Sequence, residues 1–473
     1  MSPEASPVAE AKVPGFWASV IDAIRGVRHD YTEGSIGRSI LLLAIPMVLE
    51  MIMESLFGLV NVFFVARLGA DAAATVGLTE SLLTLLFPIA IGLSIATTAT
   101  VARRIGEKNP EQASVTAVQS LVAALLVAIL FGFFASYFAG DLLLLMGGKP
   151  KMVAAGLGYS RILLGGAGAI VLLFVMNAAF RGAGDAAVAM RVLWFANLIN
   201  IALVPCLING WGPFPQLGLA GAAVGATIGR GAGFVYQLVI LFGGGSRLRV
   251  SRSQLRLDVP LMLRLLRISL AGTFQYAIAH LSWLGLTRII ASFGPGAIAG
   301  YTIAIRVAVF ALLPSWGLCN SAATMVGQSL GARKPERAEQ AVWRTAFYNV
   351  AFLGTVAVIF IAFAEPIIGA FIQDPVALRD GIDCLRYISF GYPFYAFGMT
   401  MVQAFNGAGD TRTPTIVNLF CYWLWEIPLG YALAMPFGLG PQGVFIAIAI
   451  AESTTACAGV ILFRRGRWKS KRV

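Results

Sequence analysis

Charged residues are scarce in this chain of 473 residues, because aspartate, glutamate, lysine and arginine together make up only 12% of it. A soluble protein of this length would contain about a quarter. Hydrophobic residues make up 58% of the chain, and its mean hydropathy is +0.79. The shortage of charge therefore excludes an ordinary soluble fold and indicates that lipid, rather than water, surrounds most of the chain.

Groups for enzyme chemistry, metal binding or cross-linking are also few. The five cysteines do not fall at zinc or disulfide spacings, and His29 and His280 are the two histidines. The sequence has no H-E-x-x-H motif and no glycine-rich phosphate-binding loop. We therefore expect no cofactor, no resident metal and no direct use of ATP. A membrane-embedded enzyme, such as an acyltransferase or a protease, is the alternative that the sequence favours least.

Apolar runs of about 20 residues, each long enough to cross a bilayer, recur along the chain. By this criterion the sequence predicts roughly twelve membrane helices. The runs lie near 38–65, 73–101, 114–139, 157–180, 187–209, 217–242, 263–291, 297–329, 339–363, 382–405, 413–435 and 441–463. The predicted fold is an all-α polytopic membrane protein, with twelve transmembrane helices in two six-helix, pseudo-symmetric lobes.

The same runs divide the chain into lobes and connecting segments. These are a cytoplasmic N-terminal segment (1–35), an N-lobe (36–245), a cytoplasmic linker (246–262), a C-lobe (263–463) and a basic cytoplasmic tail (464–473). In the first segment, apolar residues from Phe16 to Val27 recur at helical spacing beside Arg25 and Arg28. This pattern predicts an amphipathic helix on the inner leaflet, with a disordered tail as the alternative.

The net charge of +12 could indicate a nucleic-acid partner, but the basic residues stand in short clusters between the apolar runs. Alternate loops and the tail carry most of them: Arg103, Arg104, Lys108, Arg181, Arg191, Arg247, Arg249, Arg252, Arg256, Arg333, Lys334, Arg337, Arg412, Arg464, Arg465, Arg467, Lys469, Lys471 and Arg472. The opposite loops offer only Arg67, Lys149, Lys151 and Arg379. Because positively charged loops stay in the cytoplasm, we expect both termini there, in a bacterial inner membrane, and no nucleic-acid partner.

The two halves of the chain repeat each other. RLGADAAATVG (67–77) matches SFGPGAIAGYT (292–302), Ile91–Ala113 matches Trp316–Ala338, and AFRGAGD (179–185) matches AFNGAGD (404–410). All of these pairs share one offset of 225 residues (294 − 69). Because an even number of spans separates equivalent points, both halves cross the membrane in the same direction. Two such bundles can bury a site between them and rock around it, although a duplicated scaffold without transport is an alternative.

These segments resemble the multidrug and toxic compound extrusion (MATE) family. The resemblance begins near Arg38 and is carried by NVFFVARLGADAAATVG (61–77), ATTATVARRIGEKNPEQA (96–113), FRGAGD (180–185), AATMVGQSLGARKPERA (322–338) and FNGAGDTRTP (405–414). It implies twelve helices in two lobes, with a central cavity open alternately to each side. It also implies export of amphipathic, often cationic compounds, driven by a proton or sodium gradient. A lipid or lipid-linked oligosaccharide flippase of the same superfamily is the alternative, and it would be expected to have a strongly cationic cavity.

Two glutamates in the first span are the strongest candidates for ion coupling. Glu50 and Glu54 lie four residues apart, on one helical face and near the bilayer centre. Because two close carboxylates do not both ionise readily in a low dielectric, we expect at least one to exchange a proton at physiological pH. Asn61 stands where the resemblance implies an aspartate, two turns past Glu54. We therefore expect Glu54 and Glu50 to supply the acid function, with a carboxyl that is merely hydrogen-bonded or ion-paired as the alternative.

The repeat suggests a partner for this acid pair. Arg230 and Glu452 occupy equivalent positions near the centres of spans six and twelve (452 − 230 = 222). We expect Arg230 to neutralise one of the two glutamates and to leave one titratable proton. Separate packing roles for Arg230 and Glu452 are the alternative.

Candidates in the C-lobe are mostly uncharged. Gln275 is the repeat equivalent of Glu50, and His280 could relay protons or pack as a neutral histidine. Tyr395 and Ala279 stand where sodium-coupled relatives are expected to have acids, so a proton is favoured over sodium as the coupling ion.

Other polar and aromatic residues complete the predicted site. Asn177, Asn197 and Asn200 correspond to a polar network near the acid in relatives, with simple interhelical hydrogen bonding as the alternative. Residues that could line a drug cavity are Phe174, Phe274, Tyr276, Trp283, Trp316 and Tyr395, and charges without assigned partners are Glu80, Glu426 and Arg306. The expected partners are amphipathic small molecules and membrane lipid, and we expect a monomer.

Overall fold

The computed structural model describes residues 16–66 and 68–471, and these ranges are helical almost throughout. Residues 1–15, Arg67 and Arg472, which enter the predictions above, lie outside the described residues. The helices of the first half are α1 (Phe16–Arg25), α2 (Ile36–Ala66), α3 (Ala70–Leu83), α4 (Phe87–Gly106), α5 (Pro110–Tyr137), α6 (Ala139–Leu145), α7 (Pro150–Gly165), α8 (Gly168–Ala183), α9 (Ala186–Asn209) and α10 (Leu219–Gly243).

The second half repeats this pattern of long helices with short connections. Its elements are α11 (Val259–Ala291), α12 (Pro295–Gly331), α13 (Pro335–Ala362), α14 (Ala364–Gly369), α15 (Pro375–Gly407), α16 (Arg412–Asn418), a π-helical stretch (Leu419–Glu426), α17 (Ile427–Ala434) and α18 (Pro441–Arg464). We use N-lobe for α2 to α10 and C-lobe for α11 to α18. Because α11 begins at Val259, the connection between the lobes is shorter than the predicted linker.

Each of the twelve predicted spans coincides with one long helix or with consecutive helices. In the described part of the chain, nine spans are long and apolar enough to cross a membrane, and α3 with α4 makes a tenth that is bent by 41°. The other two spans are α11 and α15, with 33 residues each. Polar residues such as Gln275 and His280 lower the hydropathy of α11. The prediction of an all-α, twelve-span membrane protein is confirmed.

Proline and side-chain caps define several helix boundaries. Pro110 and Pro375 begin α5 and α15, where a missing N–H is tolerated, and the side chains of Asn109 and Asp374 accept hydrogen bonds from the first turns. Pro428 has no N–H to donate, and it stands in the first turn of α17, separated by one residue from the end of the π-helical stretch. Such wide turns often occur at functional sites, and this one carries Tyr422.

The two lobes pack closely at the end of the bundle that holds the arginine-rich loops and both ends of the described chain, which we call the basic end. There α4 lies against α12 with almost no space between the backbones. A Cβ atom on Gly106 would lie 2.0 Å from the Gln328 carbonyl oxygen, and one on Gly331 would lie 2.2 Å from that of Arg103. Only glycine allows this approach. We infer that the space between the lobes is closed at the basic end.

An N-terminal bridge, residues 29–34, ties the lobes together at the basic end. On the N-lobe side, the Tyr31 hydroxyl donates to the Gly184 carbonyl oxygen at 3.1 Å, and Lys108 pairs with Asp30. On the C-lobe side, Arg337 donates to the backbone carbonyl oxygens of residues 31, 33 and 34 at 2.7–2.9 Å. The bridge is therefore held to the N-lobe mainly through its own side chains and to the C-lobe through its backbone.

A C-terminal bridge, residues 468–471, makes a second connection. Arg103 of the N-lobe donates to the Lys471 carbonyl oxygen at 2.8 Å, while the Lys471 ammonium lies 3.1 Å from Asp410 of the C-lobe. Trp468 is buried and stacks on Phe463, which anchors the bridge to α18. Opening of the basic end would have to break or move both bridges.

The predicted amphipathic helix is present as α1. Phe16 and Trp17 are 59% and 75% exposed, whereas Ser19 and Ala23 face the bundle. Its Asp22 pairs with Arg38 at 3.1 Å, so α1 is fixed to the start of α2. The exposed rings suit the membrane–water interface.

Candidate transport cavity

A central cavity of about 560 Å³ lies between the lobes. Predicted site residues in its wall are Glu50, Glu54, Asn177, Gln275, His280, Tyr395 and Glu452, and predicted aromatic residues in its wall are Phe174, Tyr276, Trp283 and Trp316. Phe274 does not line it and is 55% exposed on α11. Glu80, Glu426 and Arg306 are also absent from its wall.

Glu50 is held in an ion pair by the end of α8. Its side chain is 2% exposed, and Oε1 accepts hydrogen bonds from Arg181 Nη1 at 2.7 Å and from Asn177 Nδ2 at 2.9 Å. Gln237 of α10 in turn donates to Asn177 Oδ1 at 2.7 Å. A buried carboxylate needs this kind of compensation, because desolvation of an isolated charge is costly.

Arg181 corrects one prediction from the sequence. The sequence predicts that Arg181 lies in a basic loop, because it stands at the end of an apolar run. The structure continues α8 to Ala183, so Arg181 lies in the last helical turn and reaches into the cavity wall. The repeat contained a signal for this difference, since AFRGAGD in the N-lobe has arginine where AFNGAGD in the C-lobe has Asn406.

Glu54 has a partner of its own, one turn further along α2. Arg230 Nη2 of α10 lies 3.6 Å from Glu54 Oε1, and the guanidinium also lies over the Phe57 ring, 4.2 Å from its centre. The predicted approach of Arg230 to this pair of glutamates is therefore present. However, the structure pairs each glutamate with its own arginine, whereas the sequence predicted a cation for only one of them.

The three predicted asparagines are not equivalent. Asn177 belongs to the Glu50 network, but Asn197 and Asn200 are absent from the cavity wall. Asn197 Nδ2 donates to the Met53 carbonyl oxygen at 3.3 Å, and Asn200 Nδ2 lies 3.5 Å from Asn61 Oδ1. The latter contacts join α9 to α2, as expected for interhelical hydrogen bonds in lipid. Asn61 likewise lies outside the cavity wall.

The C-lobe wall has a different composition. Glu452 of α18 accepts a hydrogen bond from the Tyr422 hydroxyl at 3.3 Å. Gln275 and Asn418 lie in the same wall, and Asn418 Nδ2 donates to the Gln275 carbonyl oxygen at 3.3 Å. Sequence reasoning missed Asn418 and Tyr422, because single polar and aromatic residues in an apolar run do not reveal which way they point.

His280 is exposed in the cavity wall, where its Nδ1 lies 3.0 Å from the Tyr276 carbonyl oxygen of its own helix. Its ring is tilted against that of Tyr276, with 6.5 Å between the ring centres. Tyr276 is itself stacked on Trp316 at 5.6 Å. His280 thus belongs to an aromatic surface of the C-lobe rather than to the acid pair of the N-lobe.

A cavity between two helical lobes within a membrane, with ionisable groups in its wall, is typical of a secondary transporter. The MatE family model matches residues 46–206 and 273–432, one segment in each lobe and together more than half of the chain. The chain therefore belongs to the MatE family of multidrug and toxic compound extrusion transporters, and it is not an enzyme.

Similarity to known relatives extends over nearly the whole chain. The probable multidrug resistance protein YoeA of Bacillus subtilis (strain 168) is 26% identical over 94% of this chain and 97% of its own length. The FAD transporter of Shewanella oneidensis is also 26% identical, over 93% of this chain and 96% of its own. A solved outward-facing structure of a multidrug resistance MATE family transporter of the MOP superfamily is 25% identical, with a TM-score of 0.86 over 93% of this chain and 98% of its own.

Proposed function

We propose that this protein is a proton-coupled antiporter that exports amphipathic, often cationic drugs or metabolites by alternating access. The observation that carries this proposal is the pair of glutamates in the cavity wall, Glu50 and Glu54, each of which lies within ion-pair distance of an arginine. Ionisable groups inside a membrane are costly and usually serve transport.

Electrostatics supplies a coupling mechanism. A proton on Glu54 or Glu50 removes one negative charge from an ion pair and makes the cavity more positive by one unit. In a low-dielectric cavity this change weakens the binding of a cation. Loss of the proton restores the affinity, so a proton and a cationic substrate exclude each other, as antiport requires.

The closed basic end fits one step of this cycle. We infer that the basic end faces the cytoplasm of a bacterial cell, because its loops carry most of the lysine and arginine. The cavity would then be closed to the cytoplasm, and the similarity to an outward-facing relative supports this interpretation. In this state a proton from outside would bind and a substrate would leave.

Two substrate alternatives differ in charge. Several relatives are named as multidrug resistance proteins, whereas one is named as an FAD transporter, and FAD is an anion. A flippase for lipids or lipid-linked oligosaccharides would also need a strongly cationic cavity. Arg181 is the arginine in this cavity wall, and Glu50 neutralises it at 2.7 Å. A cationic or neutral substrate therefore fits the wall better.

Transport into vesicles tests the proposal. Purified protein reconstituted into liposomes is given an imposed pH gradient or an imposed sodium gradient, and uptake of the fluorescent cation ethidium is followed. We expect the pH gradient to drive uptake and Glu54→Gln to abolish it. Glu111→Gln removes an acid from the same lobe, in the first turn of α5 and outside the cavity wall, so this control should transport normally.

Two results would contradict the proposal. Uptake driven by a sodium gradient alone would show that sodium, and not the proton, is the coupling ion. Full pH-driven uptake by Glu54→Gln would remove the acid pair from the mechanism.

A further inference from the structure

In the described part of the chain, Glu452 is the one acid in the C-lobe wall of the cavity, and it lacks an ion-pair partner. Among the described residues, Glu50 and Glu54 each have an arginine within ion-pair distance, but Glu452 has neither lysine nor arginine there. Its neighbour is the Tyr422 hydroxyl at 3.3 Å. The Glu452 carboxyl group is therefore available to a cation that enters the cavity.

Two buried amides beside this acid have unused acceptors. Gln275 and Asn418 are 1% and 6% exposed, and both line the cavity. Gln275 Oε1 and Asn418 Oδ1 have no hydrogen-bond partner among the described residues. A buried acceptor without a partner is unfavourable by about 1–3 kcal/mol, so these oxygens favour a ligand that brings hydrogen-bond donors.

The acid and the amides lie on neighbouring parts of the C-lobe wall. Asn418 Nδ2 contacts the backbone carbonyl oxygen of Gln275, and the Tyr422 hydroxyl contacts Glu452. Asn418 stands immediately before the π-helical stretch that carries Tyr422. These contacts place the residues that carry the carboxyl group, the two amide oxygens and the hydroxyl in one region of the wall.

Aromatic rings also line the C-lobe side of the cavity. Tyr276 stacks on Trp316, and Tyr395 and Tyr422 also line the cavity. Aromatic faces attract cations, and this attraction grows when water is excluded. The wall therefore combines a carboxylate with π faces, which suits a positively charged organic group.

The N-lobe wall opposite offers an apolar surface. Phe87 and Phe174 meet edge to face at 6.2 Å, and Ile91, Ile95 and Leu193 line the same side. An amphipathic molecule that spans the cavity would thus have its charged end on the C-lobe and its apolar body on the N-lobe.

We propose that Glu452, Gln275, Asn418 and Tyr422 form a binding subsite for a protonated amine of the substrate. The amine donates its N–H groups to the Glu452 carboxylate and to the two free amide oxygens. A quaternary ammonium group has the charge but no N–H, so it binds more weakly. This inference rests on the proposed function, because it assumes that the cavity takes amphipathic substrates, and it specifies their head group.

Three matched probes test the subsite at equilibrium. They are 2-(1-naphthyl)ethylamine, which is a protonated amine at neutral pH, its N,N,N-trimethyl derivative, and its uncharged N-acetyl derivative. Their dissociation constants are measured by calorimetric titration of the purified full-length protein in lipid nanodiscs, without any ion gradient. For the wild type we expect the amine to bind about tenfold more tightly than the trimethyl compound, and the N-acetyl compound to bind more weakly than both.

Variants then separate charge from hydrogen bonding. Glu452→Gln should weaken binding of both cations about tenfold or more and leave the N-acetyl compound unchanged. Gln275→Met keeps the size of the side chain and should remove most of the preference for the amine over the trimethyl compound. Asp383→Asn changes an acid of the same lobe that lies outside the cavity wall, and it should bind all three probes as the wild type does.

The outcomes distinguish this inference from the proposed function. Unchanged amine binding by Glu452→Gln, or an equal loss of all three probes, would overturn the subsite alone. A wild type that binds neither cation would overturn both the subsite and the cationic substrate class. Normal binding with no gradient-driven uptake would leave the subsite standing and reject the coupled antiport.

Discussion

The two lobes build one cavity from equivalent positions of a repeated sequence, yet their walls differ in charge. Glu50 and Arg181 form an ion pair in the N-lobe, where the C-lobe has Gln275 and Asn406 at the same positions of the repeat. Arg230 pairs with Glu54, whereas its equivalent Glu452 has no cationic partner among the described residues. The acids of the N-lobe wall are thus neutralised by arginines of the same lobe, whereas Glu452 in the C-lobe wall has no such arginine among the described residues.

We infer from this contrast that the duplicated scaffold separates two tasks. The helix positions persist because packing and membrane span length constrain them, whereas the side chains in the cavity wall are free to diverge. In our account, the paired charges of the N-lobe bind and release the proton, and the unpaired acid of the C-lobe recognises the substrate. Variants of the cavity wall and of the N-terminal bridge test this division.

Replacement of the Glu50–Arg181 ion pair by the residues of the C-lobe, glutamine and asparagine, should have the largest effect on stability. Arg181→Asn leaves Glu50 buried without its cation, so we expect a loss of about 3 kcal/mol in the free energy of unfolding. Adding Glu50→Gln removes the unpaired charge and should restore stability to within about 1 kcal/mol of the wild type. Thermal unfolding of the two purified variants measures this difference. An Arg181→Asn variant as stable as the wild type would contradict the ion pair between Glu50 and Arg181. A double variant no more stable than Arg181→Asn would contradict it as well.

The second ion pair should matter less for stability and more for pH dependence. Arg230 and Glu54 are 3.6 Å apart and partly exposed, so Arg230→Ala should lower the free energy of unfolding by roughly 2 kcal/mol. Loss of the guanidinium favours the protonated form of Glu54, and half-maximal transport should therefore move to higher pH. Vesicle uptake measured across a pH series checks this shift. Normal export with an unchanged pH profile would show that the two side chains are not coupled.

The N-terminal bridge should depend more on its C-lobe contacts than on its N-lobe contacts. Arg337→Ala removes hydrogen bonds to three backbone carbonyl oxygens, and we expect about tenfold faster hydrogen exchange in residues 29–35. Lys108→Ala is the matched control, because its exposed pair with Asp30 contributes little. Equal rates of hydrogen exchange in the two variants would mean that the Arg337 hydrogen bonds do not hold the N-terminal bridge in place.

The smallest effect that we expect is a dependence of the stability of the N-terminal bridge on pH. Partial burial, together with nearby Arg38 and Arg247, lowers the pKa of His29 below its ordinary value. The folded bridge therefore binds fewer protons than the open one, so its stability falls as the pH decreases through the ordinary histidine range. Hydrogen exchange in this segment, corrected for its intrinsic pH dependence, should be less than about tenfold faster at pH 5.5 than at pH 7.5. The response should disappear in His29→Gln, and its persistence there would assign it to another group.

Most of the fold could be predicted from the sequence because apolar length and repetition constrain it strongly. The apolar runs that end in AFRGAGD and AFNGAGD predict two membrane spans and show that these occupy equivalent positions in the two halves. The spacing of four residues between Glu50 and Glu54 predicts that both lie on one face of α2. The end of α8 was harder to predict, because hydropathy falls at an arginine whether the helix stops or continues. Arg181 was therefore assigned to a loop.

The parts of the site that could not be predicted depend on side-chain direction. Asn61, Asn197 and Asn200 are polar residues of the same kind as Asn177, yet they join α2 to α9 outside the cavity wall. Tyr422 lies in a π-helical stretch, whose wider turn changes the face that each residue presents. The amino-acid composition of a helix predicts neither its rotation about its own axis nor the position of a π-helical turn.

Proton release on substrate binding measures the coupling between the substrate and the N-lobe acid pair. Binding of a cation and binding of a proton at Glu54 or Glu50 are reciprocally linked, so each must displace the other. When 2-(1-naphthyl)ethylammonium is added to purified protein in weak buffer near neutral pH, our account predicts release of protons by the wild type and a clear reduction in Glu54→Gln. Unchanged proton release in the Glu50→Gln/Glu54→Gln double variant would contradict the claim that the N-lobe acid pair couples transport to protons.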